Sequence, residues 1–323
     1  MKPFLLQVDA LMDEAIANSV GTLNSEEASR ALDRDPYWPK WDSPWWHMTL
    51  LWELGLADQI PGSIVRKMIK TLNSHYLRFF PTAADGLPEG ADPYRHVACH
   101  CALGTIYQVL DACGISVDEE LPWLRPWFLK YQLPDGGLNC DEKAYSKRAP
   151  KSSVVSTLPP LEAILFCTRR PFTAEEESFL DRGAAYLIAH KLFRSANGNK
   201  VIDQAWLKLC FPRFYEYDIL RGLHFLKRWA DIRKRPAPTY AVGEAMDILR
   251  LRFPDGELKV ERAVWESEKT LMIGADGRWS SGCSQPASSF ELLRQVGRGG
   301  QRAPILDRIW KDILTGEVPA AIR

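Results

Sequence analysis

The sequence predicts an all-α protein, an α/α toroid of about five to six helix pairs with an inner and an outer helical layer. Three observations lead there. Short Asp-Gly turns recur at Asp85-Gly86, Asp135-Gly136 and Asp276-Gly277, with Asn197-Gly198 filling the gap. Each is followed by an apolar segment of helical length, beginning near Tyr94, Ser153, Tyr215 and Ala287, and an earlier one runs from Trp45 to Leu56. Between these lie helices with a single apolar stripe. Val65, Met68, Ile69, Leu72 and Tyr76 form one; Leu180, Ala184 and Leu187 form another, after the acidic first turn Glu175-Glu176-Glu177. The stretch from Tyr217 to Leu226 is instead apolar on nearly every side. Helices apolar all round are buried and striped helices cover them, so the alternation describes two concentric layers.

Prolines punctuate the helices at Pro44, Pro61, Pro122, Pro171, Pro212 and Pro286. Pro159-Pro160 falls inside an apolar segment, and the expected solution is a helix that starts at Pro159, capped by Ser156 or Thr157 after an irregular lead-in. The stretch from Phe253 to Gly274 fits the repeat poorly and reads as one helix or two. No long run alternates polar and apolar residues, so strands are not expected. At about 150 residues per domain, 323 residues suggest two units. No linker divides the chain, however, so residues 1–323 read as one toroid, with N-terminal helices in 1–43 closing the ring.

Hydrophobic residues at 46% and charged residues at 25% are globular proportions. Lys+Arg and Asp+Glu are 41 each, so no basic surplus points to nucleic acid. No stretch approaches the roughly 18 apolar residues of a membrane span, which leaves at most peripheral contact. The N-terminal apolar run meets Gln7 and Asp9 too early for a secretory signal, and seven cysteines without a framework read as reduced thiols; the expected location is cytoplasmic. The 12 Trp, 13 Phe and 10 Tyr must either pack between layers or line a cavity.

The segment Lys130-Tyr131-Gln132-Leu133-Pro134-Asp135-Gly136-Gly137-Leu138-Asn139-Cys140 resembles the turn signature of the squalene-hopene cyclase and protein prenyltransferase superfamily. In that pattern a Trp follows the glycine by two residues; Leu138 stands in its place, whereas Asp276-Gly277-Arg278-Trp279 keeps it without the Gln. The resemblance covers Pro44 to the C-terminus and extends to small bacterial prenyltransferase-like or squalene-cyclase-like toroids. It implies a central cavity that accepts an isoprenoid. The alkene-protonating Asp-x-Asp-Asp tetrad is missing, Asp33-Arg34-Asp35-Pro36 being the nearest approach, and so is the magnesium motif Asp-Asp-x-x-Asp.

Four constellations can carry chemistry. In His96-Val97-Ala98-Cys99-His100 the two histidines share a helix face, and Cys140 follows a repeat turn that can bring it near. Imidazole and thiolate suit zinc, so His96, His100 and Cys140 are the candidate ligands, with the Asp141 carboxylate as a further ligand or catalytic group. The prenyltransferases are similar in holding zinc with an Asp, a Cys and a His, the His in a stretch resembling Asp92-x-Tyr94-x-His96; here Cys140 follows the His instead of preceding it. The alternative is that His96, Cys99 and His100 are hydrogen-bonded core residues. Asp218 is a candidate acid beside Tyr217, with Tyr215 and the neighbouring aromatics able to stabilise a cation by about 0.5–2 kcal/mol each; alternatively Asp218 caps a helix or pairs with Arg221. The indole-rich stretch from Trp38 to His47 either packs a seam or lines a pocket, for which Trp45, Trp46 and His47, with Tyr94 and Tyr215, are the candidate substrate contacts. The basic Lys147 to Ser153 segment is a solvated loop or a diphosphate grip.

Three functions follow in order. The first is a prenyltransferase-like or terpene-cyclase-like protein, a transferase or cyclase if an enzyme, with a small apolar isoprenoid in the toroid. The second is a non-catalytic toroid that binds a lipid-like or peptide ligand. The third is a carbohydrate-active toroid with Trp platforms and paired carboxylates.

Overall fold

The computed structural model describes residues 10–75, 99–145, 147–197, 199–263, 269–273, 279–284 and 287–315. Within them lie α1 (Ala10–Leu23), α2 (Glu26–Arg34), α3 (Pro44–Glu53), α4 (Gly62–His75), α5 (His100–Ala112), α6 (Val117–Glu120), α7 (Leu124–Lys130), α8 (Val154–Cys167) and α9 (Ala174–Ala189). They are followed by α10 (Ile219–Ile232), α11 (Thr239–Arg252), β1 (Lys269–Ile273), β2 (Trp279–Ser284), α12 (Glu291–Val296) and α13 (Pro304–Thr315). The protein is mostly helical, as its periodicity predicts.

Helices α3, α5, α8 and α10 are the most deeply buried; every residue of α5 from His100 to Leu110 is buried. These helices pack in series, α3 on α5, α5 on α8 and α8 on α10, and α10 continues onto α13. The half-buried α9 covers α8 and α10, α11 lies on α10, and α4 packs on α2. Local chemistry sets the ends. Thr173 and Glu176 form a reciprocal capping box at the start of α9, where three acidic residues suit the positive end of the helix. Among the described residues, no helix is long and apolar enough to cross a membrane.

The α5–α8 contact corrects one expectation. The helix does not begin at Pro159: it starts at Val154, with the Ser153 hydroxyl accepting from Ser156 N, and runs through both prolines. Tertiary packing is the reason. The prolines sit over Gly104 of α5, where a Cβ would come within 2.4 Å of the Pro159 carbonyl carbon. Bare glycine lets the backbones meet there, and Gln108 Nε2 donates to Pro159 O at 3.4 Å.

The Asp135-Gly136 turn ties α7 to α9. Gly136 has φ +96, and a Cβ there would lie 2.3 Å from Arg182 O. Gln132 Nε2 donates to Gly136 O at 2.7 Å and to Phe179 O at 2.8 Å, tying the turn after α7 to α9.

The second correction is at residues 253–274. In place of a helix over its end, β1 pairs antiparallel with β2, from Lys269 opposite Ser284 to Ile273 opposite Trp279, with a register shift after Thr270. β-branched Thr270 and Ile273 suit a pleated strand, and Lys40 N donates to Thr270 Oγ1 at 2.9 Å, docking the hairpin on the loop before α3.

The segment from Cys210 to Tyr217 enters the space between the buried helices. Arg213 N donates to Glu53 Oε2 of α3 at 2.6 Å, Thr105 Oγ1 of α5 donates to Phe214 O at 3.4 Å, and Arg221 Nη1 of α10 donates to Glu216 O at 2.8 Å. Phe214 has φ +52, uncommon for a side chain of its bulk, and tertiary contacts impose it.

Candidate metal centre

At the N-terminus of α5, Cys99 is the cap residue and Cys101 lies in the first turn. Cys140 is delivered by the Asp135-Gly136-Gly137 turn. Leu138 N donates to Thr157 Oγ1 at 2.8 Å and Cys140 N to Ser156 Oγ at 3.1 Å, which pins the strand-like exit of the turn to the start of α8. The Cys99 and Cys101 sulfurs are 3.1 Å apart, those of Cys101 and Cys140 3.5 Å, and all three lie within 4.8 Å of one another. Cys101 N donates to Cys140 Sγ at 3.4 Å. Cys101 is buried; Cys99 and Cys140 are half-buried. This group can hold a metal ion.

Negative charge concentrates on one sulfur. Burial opposes ionisation of Cys140, but its contacts with the Cys101 and Cys99 thiols, the nearby His100 and Ser156 outweigh it and hold the thiol well below the usual range. Contacts with Cys140 and Cys99, reinforced by burial, push Cys101 well above it.

The structure brings Cys140 together with Cys99 and Cys101, and of the two expected histidines the described one, His100, turns elsewhere. His100 Nδ1 accepts from Trp127 Nε1 at 3.1 Å, and Nε2 meets the Tyr145 hydroxyl at 3.0 Å. Burial pushes this imidazole down to about 4, so it is neutral, with its proton on Nε2 toward Tyr145. Nδ1 ties α5 to Trp127 of α7 and Nε2 ties it to Tyr145, beyond the Asp135 turn, so both nitrogens are engaged. Asp141 is exposed and closes a turn by accepting from Lys143 N at 3.0 Å. His96 and Tyr94 lie outside the described residues. Sequence reasoning misses Cys101 because Cys99-x-Cys101 is shorter than the spacing usual for zinc cysteines, whereas His96 and His100 match the usual histidine spacing.

Beside the sulfurs stands an aromatic cluster. Trp45 Nε1 donates to Ala102 O at 3.3 Å, one residue beyond Cys101. Trp45 and Trp46 are buried against Tyr37, with ring centroids 5.0 Å from it, and Tyr215 lies 6.3 Å from Tyr37. Burial, then Tyr215, then the Cys101 and Cys99 sulfurs push the Tyr37 hydroxyl well above the phenol range. His47 is apart from them: it stacks on Phe290 at 3.9 Å and shares a 2.8 Å hydrogen bond with Ser19.

Asp218 takes the capping alternative. Fully buried, it accepts from Arg221 N at 2.9 Å and Cys210 N at 3.1 Å at the start of α10. Tyr217 donates to Leu192 O at 2.8 Å. The basic loop is drawn back to the turn, with Ser152 N donating to Asp135 Oδ2 at 2.9 Å. Comparison with family models, curated proteins and solved structures finds no match for this chain. What the fold and site define is therefore a helical protein with a three-thiol cluster at the mouth of a buried helix.

Proposed function

We propose that this chain is an α/α toroid that holds zinc at Cys99, Cys101 and Cys140 and binds an apolar, isoprenoid-like molecule against the adjoining aromatics, as a transferase or cyclase. The observation that carries the reading is the convergence of three sulfurs within 4.8 Å at the start of α5, where Trp45, packed on Tyr37, donates a hydrogen bond to Ala102 O. Zinc thiolate bonds of about 2.3 Å in tetrahedral geometry put sulfurs roughly 3.8 Å apart, close to the 3.5 Å of Cys101–Cys140 and somewhat wider than the 3.1 Å of Cys99–Cys101. Bound there with three protein ligands, zinc supplies a Lewis acid with one position for water or substrate.

The chain's own groups have separate tasks. Ser156 and Cys101 N–H orient Cys140, while the Trp127–His100–Tyr145 chain keeps the end of α5 in place. The indoles and phenols exclude water and offer faces to a developing positive charge. The series α3, α5, α8, α10, α13 supports the ring, and residues 210–217 support a ring with a filled centre. The ligand then sits at the mouth, near the starts of α3 and α5. The tight mutual packing of Trp41, Trp45, Trp46 and Phe214 favours, as second reading, a ring that binds a lipid-like molecule without turning it over.

Metal analysis of protein purified without chelator tests the first claim; one zinc per chain is expected. Incubation with farnesyl or geranylgeranyl diphosphate, with and without zinc, tests the second by ligand binding and product. Absence of both zinc and isoprenoid binding sinks the proposal. Binding without product selects the second reading.

A further inference from the structure

The same three thiols are arranged for a second chemistry, and it concerns how the site is switched off. We infer that Cys99, Cys101 and Cys140 form a hydroperoxide-sensitive centre in which oxidation joins Cys101 to Cys140 as a disulfide and expels the metal. Only the metal-release half rests on the zinc reading; the disulfide needs the sulfurs alone.

Geometry selects the pair. Cys99 and Cys140 are both half-buried; Cys140 is the one that receives the backbone N–H of Cys101, at 3.4 Å in the first turn of a 13-residue helix, and it comes from a separate element of the chain. As a thiolate, this sulfur is the nucleophile toward peroxide. The buried Cys101 sulfur waits 3.5 Å away, on an element 39 residues distant in sequence. It is shielded from peroxide itself but placed to meet an oxidised Cys140. Cys99 lies 3.1 Å from Cys101, where its sulfur can reopen the linkage by exchange once reductant is present.

The steps balance. The Cys140 thiolate attacks one peroxide oxygen and the O–O bond breaks; the departing hydroxide takes a proton and leaves as water. Cys140 is then a sulfenic acid. The Cys101 sulfur attacks the Cys140 sulfur, an S–S bond forms, and the S–O bond breaks. The departing hydroxide takes the Cys101 thiol proton as a second water. Two thiols lose two electrons and one hydroperoxide gains them. A disulfide removes two of three thiolates from a metal, and a single remaining thiolate does not retain it.

The test uses the full chain, reduced, in zinc-loaded and metal-free forms, each treated with a small excess of hydrogen peroxide. Disulfides are mapped by peptide mass spectrometry and released zinc is read with a chromogenic chelator. The expected result is one Cys101–Cys140 linkage per chain in both forms, with one equivalent of zinc released from the loaded form and recovered after dithiothreitol. Cys99→Ser is expected to keep the linkage and Cys140→Ser to abolish it. Cys113→Ser, at a half-buried thiol on the other end of α5, is the bystander. A Cys99–Cys101 linkage instead, or Cys140 carried to sulfinate without a disulfide, overturns the inference even if the protein binds zinc. If the protein takes up no zinc but the Cys101–Cys140 linkage forms, the zinc reading fails and the redox pair stands. Because mapping on the wild-type chain decides, a variant that fails to fold does not obscure the answer.

Discussion

Glu162 on α8 and Arg221 on α10 meet in a doubly hydrogen-bonded ion pair, Nε to Oε1 at 2.9 Å and Nη2 to Oε2 at 2.6 Å, with 3% and 1% of their surfaces exposed. The remaining Arg221 donor reaches Glu216 O and Phe214 O, so one guanidinium holds both α8 and the inserted 210–217 segment. Breaking a buried pair leaves an unpaired charge, which costs about 3–5 kcal/mol. Glu162→Ala is therefore expected to lower stability by that amount in urea unfolding. A loss under about 1 kcal/mol would show that Arg221 finds other compensation.

The contact at Gly104 is steric. Gly104→Ala places a methyl group against the Pro159–Pro160 backbone, which cannot yield as a side chain tip does. A loss of about 3 kcal/mol is expected. Gly21→Ala, with open space around it on α1, is the comparison and is expected to gain several tenths of a kcal/mol. Similar melting temperatures for the two variants would mean that α5 and α8 separate easily.

Gln132 makes the turn a joint between α7 and α9. Gln132→Ala leaves Gly136 O and Phe179 O without their donor, an expected cost of about 1–3 kcal/mol. Local opening should follow as well. Hydrogen exchange at the first turns of α9 is expected to quicken, and unchanged exchange there would contradict the joint.

His47 supplies a pH dependence. Burial lowers its folded pKa to about 4 from an ordinary 6.5, so between those values the unfolded chain binds the extra proton and stability rises with pH. The contribution is full above the unfolded value and is lost as pH falls toward the folded one. From pH 7 to pH 5 this one group is expected to remove about 2 kcal/mol. His47→Gln should flatten that part of the profile in thermal melts; an identical slope would assign the loss elsewhere.

The thiol cluster predicts selective metal loss. Cys140→Ser is expected to weaken zinc by more than the roughly 100-fold typical of outer-sphere changes, whereas Cys113→Ser leaves affinity unchanged. Chelator competition measures both. Chelation should also lower the melting temperature of the wild-type chain, since a metal held by the three thiols would clip the start of α5 to the turn before α8.

The helices were readable because their causes are local. Thr173 and Glu176 announce a capping box three residues apart, and Asp218 was weighed as a cap and is one. The Asp135-Gly136 turn needs a positive φ that glycine supplies. The helix through Pro159 and Pro160 was not readable, since its justification is Gly104, on another helix. Nor was the hairpin at 269–284, whose Thr270 answers to Lys40 far upstream.

The sequence by itself determined a mostly helical chain of alternating buried and half-buried helices, the turns that join them, and a stretch around residues 96–100 rich in metal ligands. The tertiary structure alone decided which of those ligands meet. Periodicity places His100 and Cys101 one step apart on a helix, about 100° around its axis, so only the packing of α5 against α7 and α8 selects the side chain that faces Cys140. With Trp127 and Tyr145 on one side and the Asp135 turn on the other, the imidazole went to the core and the sulfurs to each other.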